Sequence, residues 1–189
     1  MTYQANNYQI NGFTGLSEAI LTNHFTLYQG YVTNTNKLSD LLKSYEVDGK
    51  QTMPEYAEIK RRFGWEWNGM RLHELYFENI TSETMTMPDK IKDLVVNEFG
   101  SVELWAESFK SSGLMRGIGW VILYYDEVEQ KLFNQWINEH DVSHLAGLKP
   151  VLVMDVFEHA FMLDYGLKRA DYVNFFMSHI DWNVVASRL

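Results

Sequence analysis

Six histidines and no cysteine bound the chemistry open to this chain. Without thiolates, any metal must be held by nitrogen and oxygen donors, and neither a disulfide framework nor a cysteine nucleophile is available. His24 and His73 each fall inside an apolar stripe of helical period. A lone histidine in such a stripe is usually a core residue hydrogen-bonded to a neighbour. Two on facing helices also match the way ligand pairs are built inside helical bundles. Asp155 ends the apolar run after Pro150, and His159 follows at i+4. A carboxylate there is costly unless it is paired or metal-bound. A carboxylate with neutral imidazoles is a ligand set for a redox metal such as iron or manganese. On spacing alone, a capping role for Asp155 stays the simpler reading, because i,i+4 pairs are common. His140 and His144 sit at the end of an apolar segment and, taken singly, read as polar loop residues. His179 reads as a surface or capping residue. No Gly-x-Ser-x-Gly elbow occurs, so a serine hydrolase is not indicated. Gly117-Ile118-Gly119 precedes a strand-like run instead of opening a helix, so it is not a dinucleotide loop.

The elements that must position these residues are legible in outline. Residues 1–15 are polar and read as an extended arm. Ser17 is suited to cap a helix whose apolar positions (Ile20, Leu21, His24, Leu27, Tyr28, Tyr31, Leu38, Leu41, Leu42, Tyr45) recur at three- and four-residue steps. After a turn at Asp48-Gly49, Pro54 opens a second helix that is expected to run to about Phe63, with Gly64 as a break. A further stripe through Gly69, His73, Tyr76 and Ile80 follows. Pro88 opens a helix that Gly100 closes, and Ser101 caps the next. Trp120–Tyr125, Leu132–Asn138 and Val151–Met154 read as strands, and the remainder as helices. Helices, then a small antiparallel sheet, then helices make an α+β pattern. The expected architecture is a long antiparallel α-hairpin domain over residues 1–85. A second domain over residues 86–189 has helices around a three-stranded antiparallel sheet, and the histidine cluster lies between the two.

The 189 residues are 46% hydrophobic and 15% aromatic, enough to bury a core and too apolar for intrinsic disorder. The net charge of −9 argues against a general nucleic-acid binder. By the same logic it disfavours an anionic substrate. No basic region followed by an apolar stretch opens the sequence, and no run reaches the ~18 apolar residues of a membrane span. A cytoplasmic location without membrane contact is the expectation.

Several segments, in chain order from Gly15 to Leu189, resemble one family. Asp155-Val156-Phe157-Glu158-His159-Ala160-Phe161, followed by Leu163-Asp164-Tyr165, resembles the Asp-x-Trp-Glu-His-Ala-Tyr signature of the iron/manganese superoxide dismutases. Gly117-Ile118-Gly119-Trp120 is similar to that family's Gly-Ser-Gly-Trp, and Phe99-Gly100-Ser101 with Phe109 also fits. His24 with Tyr31-Val32-Thr33-Asn34 resembles the first-helix ligand motif, and His73 with Tyr76-Phe77 the second, usually Asn-His-x-x-Phe-Trp. The resemblance implies that His24, His73, Asp155 and His159 hold one Fe or Mn ion per subunit, with a solvent molecule as fifth ligand. It implies an enzyme that disproportionates superoxide to oxygen and hydrogen peroxide. His140, which stands where other members carry Gln or His, would hydrogen-bond the solvent ligand. Gly69 fits that arrangement, since members with Gln at that point use it instead. Tyr31 matches the gateway tyrosine and Arg169 an arginine near the substrate entrance. Glu158 matches the glutamate that bonds a ligand histidine of a second subunit, which implies a homodimer or a tetramer. The ligand set is the same for Fe and Mn and does not choose between them.

The departures are specific. From His24 to Tyr31 the chain is one residue shorter than the usual His-x-x-x-His-His-x-x-Tyr-Val. Seven helical steps still return to nearly the same face. The second histidine of that motif is replaced by Leu27 or Tyr28, and its usual tyrosine partner by Phe161. Both ends of that inter-subunit hydrogen bond are thus gone together. Phe77, Ile122 and Phe157 stand where the family has tryptophan. Two competing readings remain: the same fold kept as a non-catalytic interaction module, which ought to have lost ligands, and another mononuclear iron oxidoreductase, for which two histidines and one carboxylate are usual. Superoxide is an anion, so the dismutase reading also predicts a locally positive mouth around Arg169, with Lys168 or Arg71, on an acidic protein.

Overall fold

The computed structural model describes residues 2–8 and 12–189, so the arm expected over residues 1–15 is seen in part, with residues 1 and 9–11 outside the described chain. Helix α1 (Glu18–Val47) begins where Ser17 accepts the Ile20 N–H on its hydroxyl at 3.2 Å. Ser17 also donates from its backbone N–H and its hydroxyl to the two carboxylate oxygens of Asp164, each at 2.7 Å, which ties the start of α1 to the far end of the chain. Helix α2 runs unbroken from Pro54 to Glu78. The break expected at Gly64 is therefore absent. A helical glycine costs only about 1 kcal/mol relative to alanine, which packing against α1 readily outweighs. The two helices are antiparallel: Glu46 accepts from Tyr56 at one end, Asn34 donates to Glu66 in the middle, and His24 meets His73 at the other end.

Helix α3 (Asp89–Phe99) ends at Gly100, and Ser101 caps α4 (Val102–Gly113) by accepting the Leu104 N–H at 3.1 Å. Strands β1 (Gly119–Asp126), β2 (Lys131–Asn138) and β3 (Lys149–Asp155) form an antiparallel sheet in the order β2-β1-β3. After β3 come a 3₁₀ turn (Glu158–Ala160) and helices α5 (Met162–Tyr165), α6 (Arg169–Ser178) and α7 (Trp182–Ser187). This is the α+β arrangement expected, a helical hairpin followed by helices around a three-stranded antiparallel sheet.

The register of the sheet places the chemistry. Trp120 pairs with Ile137 on one side and Asp155 on the other, so the ends of β2 and β3 meet at the start of β1. Gly119 makes this close approach possible: its φ is +133°, and a Cβ there would lie 1.9 Å from the Ile137 carbonyl oxygen. The free edge of β3 is satisfied by a side chain. Asn79, fully buried at the end of α2, accepts the Val153 N–H at 2.8 Å and donates to the Val153 carbonyl at 3.0 Å, as a neighbouring strand would. Arg188 donates to Asn79, to the Val151 carbonyl and to the Leu75 carbonyl, closing the same seam with the C-terminal helix.

Asn79 thus holds His73, on α2, against Asp155, at the end of β3. An Asn79→Ala substitution leaves buried main-chain groups of Val153 unpaired. Urea unfolding should show a loss of about 2–4 kcal/mol with an unchanged m-value.

Candidate metal centre

His24 comes from α1, His73 from α2, Asp155 from the end of β3 and His159 from the 3₁₀ turn that follows. One ligating atom from each lies within 4.8 Å of every other. The Nε2 atoms of His24 and His159 are each 3.0 Å from Asp155 Oδ2, and that of His73 is 3.7 Å away. Two donors each about 2.1 Å from one ion lie about 3 Å apart at a right angle and farther apart at wider angles, so the set is spaced for a single ion. Asp155 serves both roles open to it: Oδ1 accepts the Phe157 N–H at 2.8 Å as a local cap, while Oδ2 faces the imidazoles. Its main chain is held as well, by the Tyr172 hydroxyl donating to its carbonyl at 2.7 Å.

His73 decides what the cluster can bind. Its Nδ1 is 2.6 Å from the Gly69 carbonyl, which has no proton to give, so Nδ1 carries the hydrogen. Nε2 is then a bare lone pair. It is buried, has no hydrogen-bond partner, and points toward the carboxylate oxygen of Asp155. Two lone pairs facing one another in a dry interior repel unless a cation lies between them. Burial holds the imidazoles of His24 and His73 below their ordinary pKa, His73 well below, so both are neutral at pH 7. Burial also works to raise the Asp155 carboxyl, but the contacts with His159 and His24 outweigh it and keep the group ionised. Neutral imidazoles with an ionised carboxylate are the protonation state that metal binding requires.

A second group adjoins the first. Trp120 donates from Nε1 to His140 Nδ1 at 3.0 Å, so in the neutral imidazole the proton is on Nε2. His140 Nε2 donates to the Tyr31 hydroxyl oxygen at 2.8 Å, which leaves the Tyr31 O–H free to donate elsewhere. Burial raises the Tyr31 pKa, so that proton is retained. His24 and Tyr31 do share a face of α1, since both rings pack on His73 at 5.0 Å between centroids. Gly69 is needed for this: a Cβ there would stand 2.6 Å from the Tyr31 ring. Phe157 stacks on both His140 and His159, and Phe77 lies against His24. Of the two residues that could occupy the missing histidine's place, Tyr28 is the buried one, and it donates to Glu74 within the chain.

These observations agree with comparisons to known proteins. The family model described as iron/manganese superoxide dismutases, C-terminal domain, matches residues 87–188. A superoxide dismutase [Fe] of Cupriavidus metallidurans is 36% identical over 180 residues, covering 93% of this chain and 89% of that protein. A superoxide dismutase [Mn] 2 of Haloferax volcanii is 33% identical over 175 residues, covering 92% and 86%. The chain belongs to the iron/manganese superoxide dismutase family.

The cations around the site are arranged differently from the sequence expectation. Arg71 pairs with Glu74 at 2.5 Å and stacks near Trp67, so it is committed away from any mouth. Arg169 donates to the Gly117 carbonyl at 2.8 Å and lies 5.8 Å from the Phe161 ring, with Nε and Nη2 unpartnered. Arg62, which the sequence did not single out, packs on Trp65 at 3.9 Å, pairs with buried Glu66, and acts electrostatically on Tyr31 and His140. Trp65 itself lies edge-on against His140 at 4.5 Å. The i,i+3 and i,i+4 spacing of Arg62, Trp65 and Glu66 was the available signal, but such patterns are ordinary on helix surfaces. Glu158 is exposed beside His159, on a face shared with Met162 and Leu163.

Burial pushes the His140 imidazole down to about 4, below its ordinary 6.5. The unfolded chain therefore takes up this proton first as pH falls. The stability contribution is complete above about pH 6.5 and is lost progressively toward about pH 4, by at most ~3 kcal/mol. Thermal midpoints measured across that window should fall more steeply for the native protein than for His140→Gln.

Proposed function

We propose that this protein is a superoxide dismutase, converting two superoxide ions and two protons to oxygen and hydrogen peroxide. The observation that carries the reading is the bare, buried Nε2 of His73 facing Asp155 Oδ2, a pair that calls for a cation. His24, His73, Asp155 and His159 would hold one Fe or Mn ion. When bound, that ion would supply a centre able to accept one electron and return it. The residues around it have separable tasks. Asp155 contributes the one negative charge of the ligand set. The Gly69 carbonyl fixes the His73 tautomer and ring orientation. Trp120 and His140 hold Tyr31 so that its hydroxyl proton is the one left to donate toward the reacting anion. Phe77 and Phe157 set apolar surface against His24, His140 and His159 and help to exclude bulk water. Arg169, whose Nε and Nη2 have no hydrogen-bond partner, offers local positive charge against a net charge of −9, and local fields govern the approach of a small anion.

The same reading divides the chain into a hairpin domain over residues 1–85 and a second domain over 86–189, with the metal at the seam. It also assigns Glu158 to the ligand histidine of a second subunit in a homodimer. The exposure of Glu158 beside His159, with Leu163 60% exposed nearby, supports that assignment. Among the described residues no helix is long and apolar enough to cross a membrane.

Elemental analysis and a dismutation assay on one purified sample test the reading. Near one Fe or Mn per chain with activity is expected. His73→Ala should lose both metal and activity, whereas His140→Ala should keep the metal and lose activity by about tenfold or more. A metal-free native protein, or a fully loaded one without dismutation, overturns the assignment. Equal metal loss in the two variants overturns the division of roles.

A further inference from the structure

His144 follows His140 at i+4 on the turn after β2, and Tyr124 follows Trp120 at i+4 on β1. Just as Trp120 bonds His140, Tyr124 bonds His144, with its hydroxyl 2.7 Å from Nδ1. The other nitrogen, His144 Nε2, is 2.8 Å from the main-chain carbonyl of His140. A carbonyl only accepts, so Nε2 carries the proton and, in the neutral ring, Nδ1 is a bare acceptor. Tyr124 must then be the donor. Burial pushes its phenol up to about 12, which keeps that proton in place at neutral pH. The two chains of bonds are directed: Tyr124 to His144 to the His140 main chain, and Trp120 to the His140 ring to Tyr31.

The turn that carries His140 needs such support. Glu139 at φ +52° and Ser143 at φ +78° are both non-glycine residues in the left-handed region, where a side chain is disfavoured. Inside the turn, the main-chain bonds between Asn138 and Val142 are long, at 3.2 and 3.3 Å. The bond from His144 is shorter, at 2.8 Å, and partly buried, beside a cleft of about 210 Å³ whose apolar wall is Leu72, Leu75, Leu145, Leu148 and Pro150 and whose polar members include Asn68 and Arg71. A break in register between β1 and β3 falls at Leu123/Tyr124, and irregularities of this kind commonly re-aim a side chain beside a functional site.

We propose that His144 is a positioning residue for the dismutase reaction, which together with Tyr124 clamps the His140 turn and so aims the free hydroxyl proton of Tyr31. This rests on the dismutase reading and names a contributor that touches neither the metal ligands nor the substrate. The test compares His144→Leu, Tyr124→Phe and His144→Gln in the metal-loaded protein. The Leu and Phe variants should retain metal and kcat/KM but lose about fivefold in kcat, the effect of one well-placed hydrogen bond. Their solvent deuterium isotope effect on kcat should rise, and hydrogen exchange by mass spectrometry should quicken in the 138–144 segment alone. Gln can still donate to the His140 carbonyl, and should restore kcat to within about twofold.

Unchanged kcat and unchanged exchange in a fully loaded His144→Leu protein overturn the proposal. A Gln variant as impaired as Leu overturns it too, and so does a fall in kcat that merely tracks metal loss. If the Leu variant does not fold, Tyr124→Phe is set against His144→Gln. A kcat lost in Phe and kept in Gln is then expected, and equal kcat in the two overturns the proposal. Absence of dismutation in the native protein would instead overturn the functional reading, while the exchange measurement would still report on the clamp.

Discussion

A nitrogen lone pair and a carboxylate oxygen face each other across 3.7 Å in a part of the protein from which water is excluded. That pairing is repulsive by itself and becomes favourable only around a cation. The rest of the molecule is arranged to hold it in place. The Gly69 carbonyl fixes the His73 tautomer, the Phe157 N–H occupies the other oxygen of Asp155, and the Tyr172 hydroxyl holds its main chain. Asn79 binds the helix of His73 to the strand of Asp155. Loosening any of these would let the opposed groups move apart, so the polar contacts around the site act as one system.

Strand β1 is the common reference for everything outside the ligand set. Its first residues lie between the ends of β2 and β3, so Trp120 pairs with Asp155 by register and reaches His140, on the turn after β2, with its indole N–H. Four residues on, Tyr124 reaches the turn that carries His140 from behind. One buried strand therefore orients both the ring and the main chain of the residue that holds Tyr31. The interior aromatic packing does the complementary work of keeping water away from these bonds, which makes each of them stronger than it would be in solvent.

At two positions where the sequence resemblance implies hydrogen bonds to a second subunit, the contacts seen lie within the chain. Tyr28 turns its hydroxyl to Glu74 in its own chain, and Phe161 packs on Tyr172 without a polar partner. His24 and Tyr31 share one face of α1 because seven residues of regular helix make nearly two turns. Gly69 then supplies the space that Tyr31 requires.

Helix and strand periods, the caps at Ser17 and Ser101, and the spacing of Asp155 and His159 were legible because each depends on residues a few positions apart. So was the cluster of His24, His73, Asp155 and His159, once motifs in chain order were read together. Continuity of α2 through Gly64 was not legible, since packing against α1 outweighs a local preference of about 1 kcal/mol. Nor were the pairing of Arg71 with Glu74, the placement of Arg62 over Trp65, or the bond from His144 to His140. The sequence by itself determined which donors are available and on which elements they lie. Only the tertiary structure decided protonation and direction: which nitrogen of His73, His140 and His144 carries the proton, and where the free proton of Tyr31 remains. Those follow from the partner each atom meets, and partners are set by sheet register and helix packing between residues far apart in the chain.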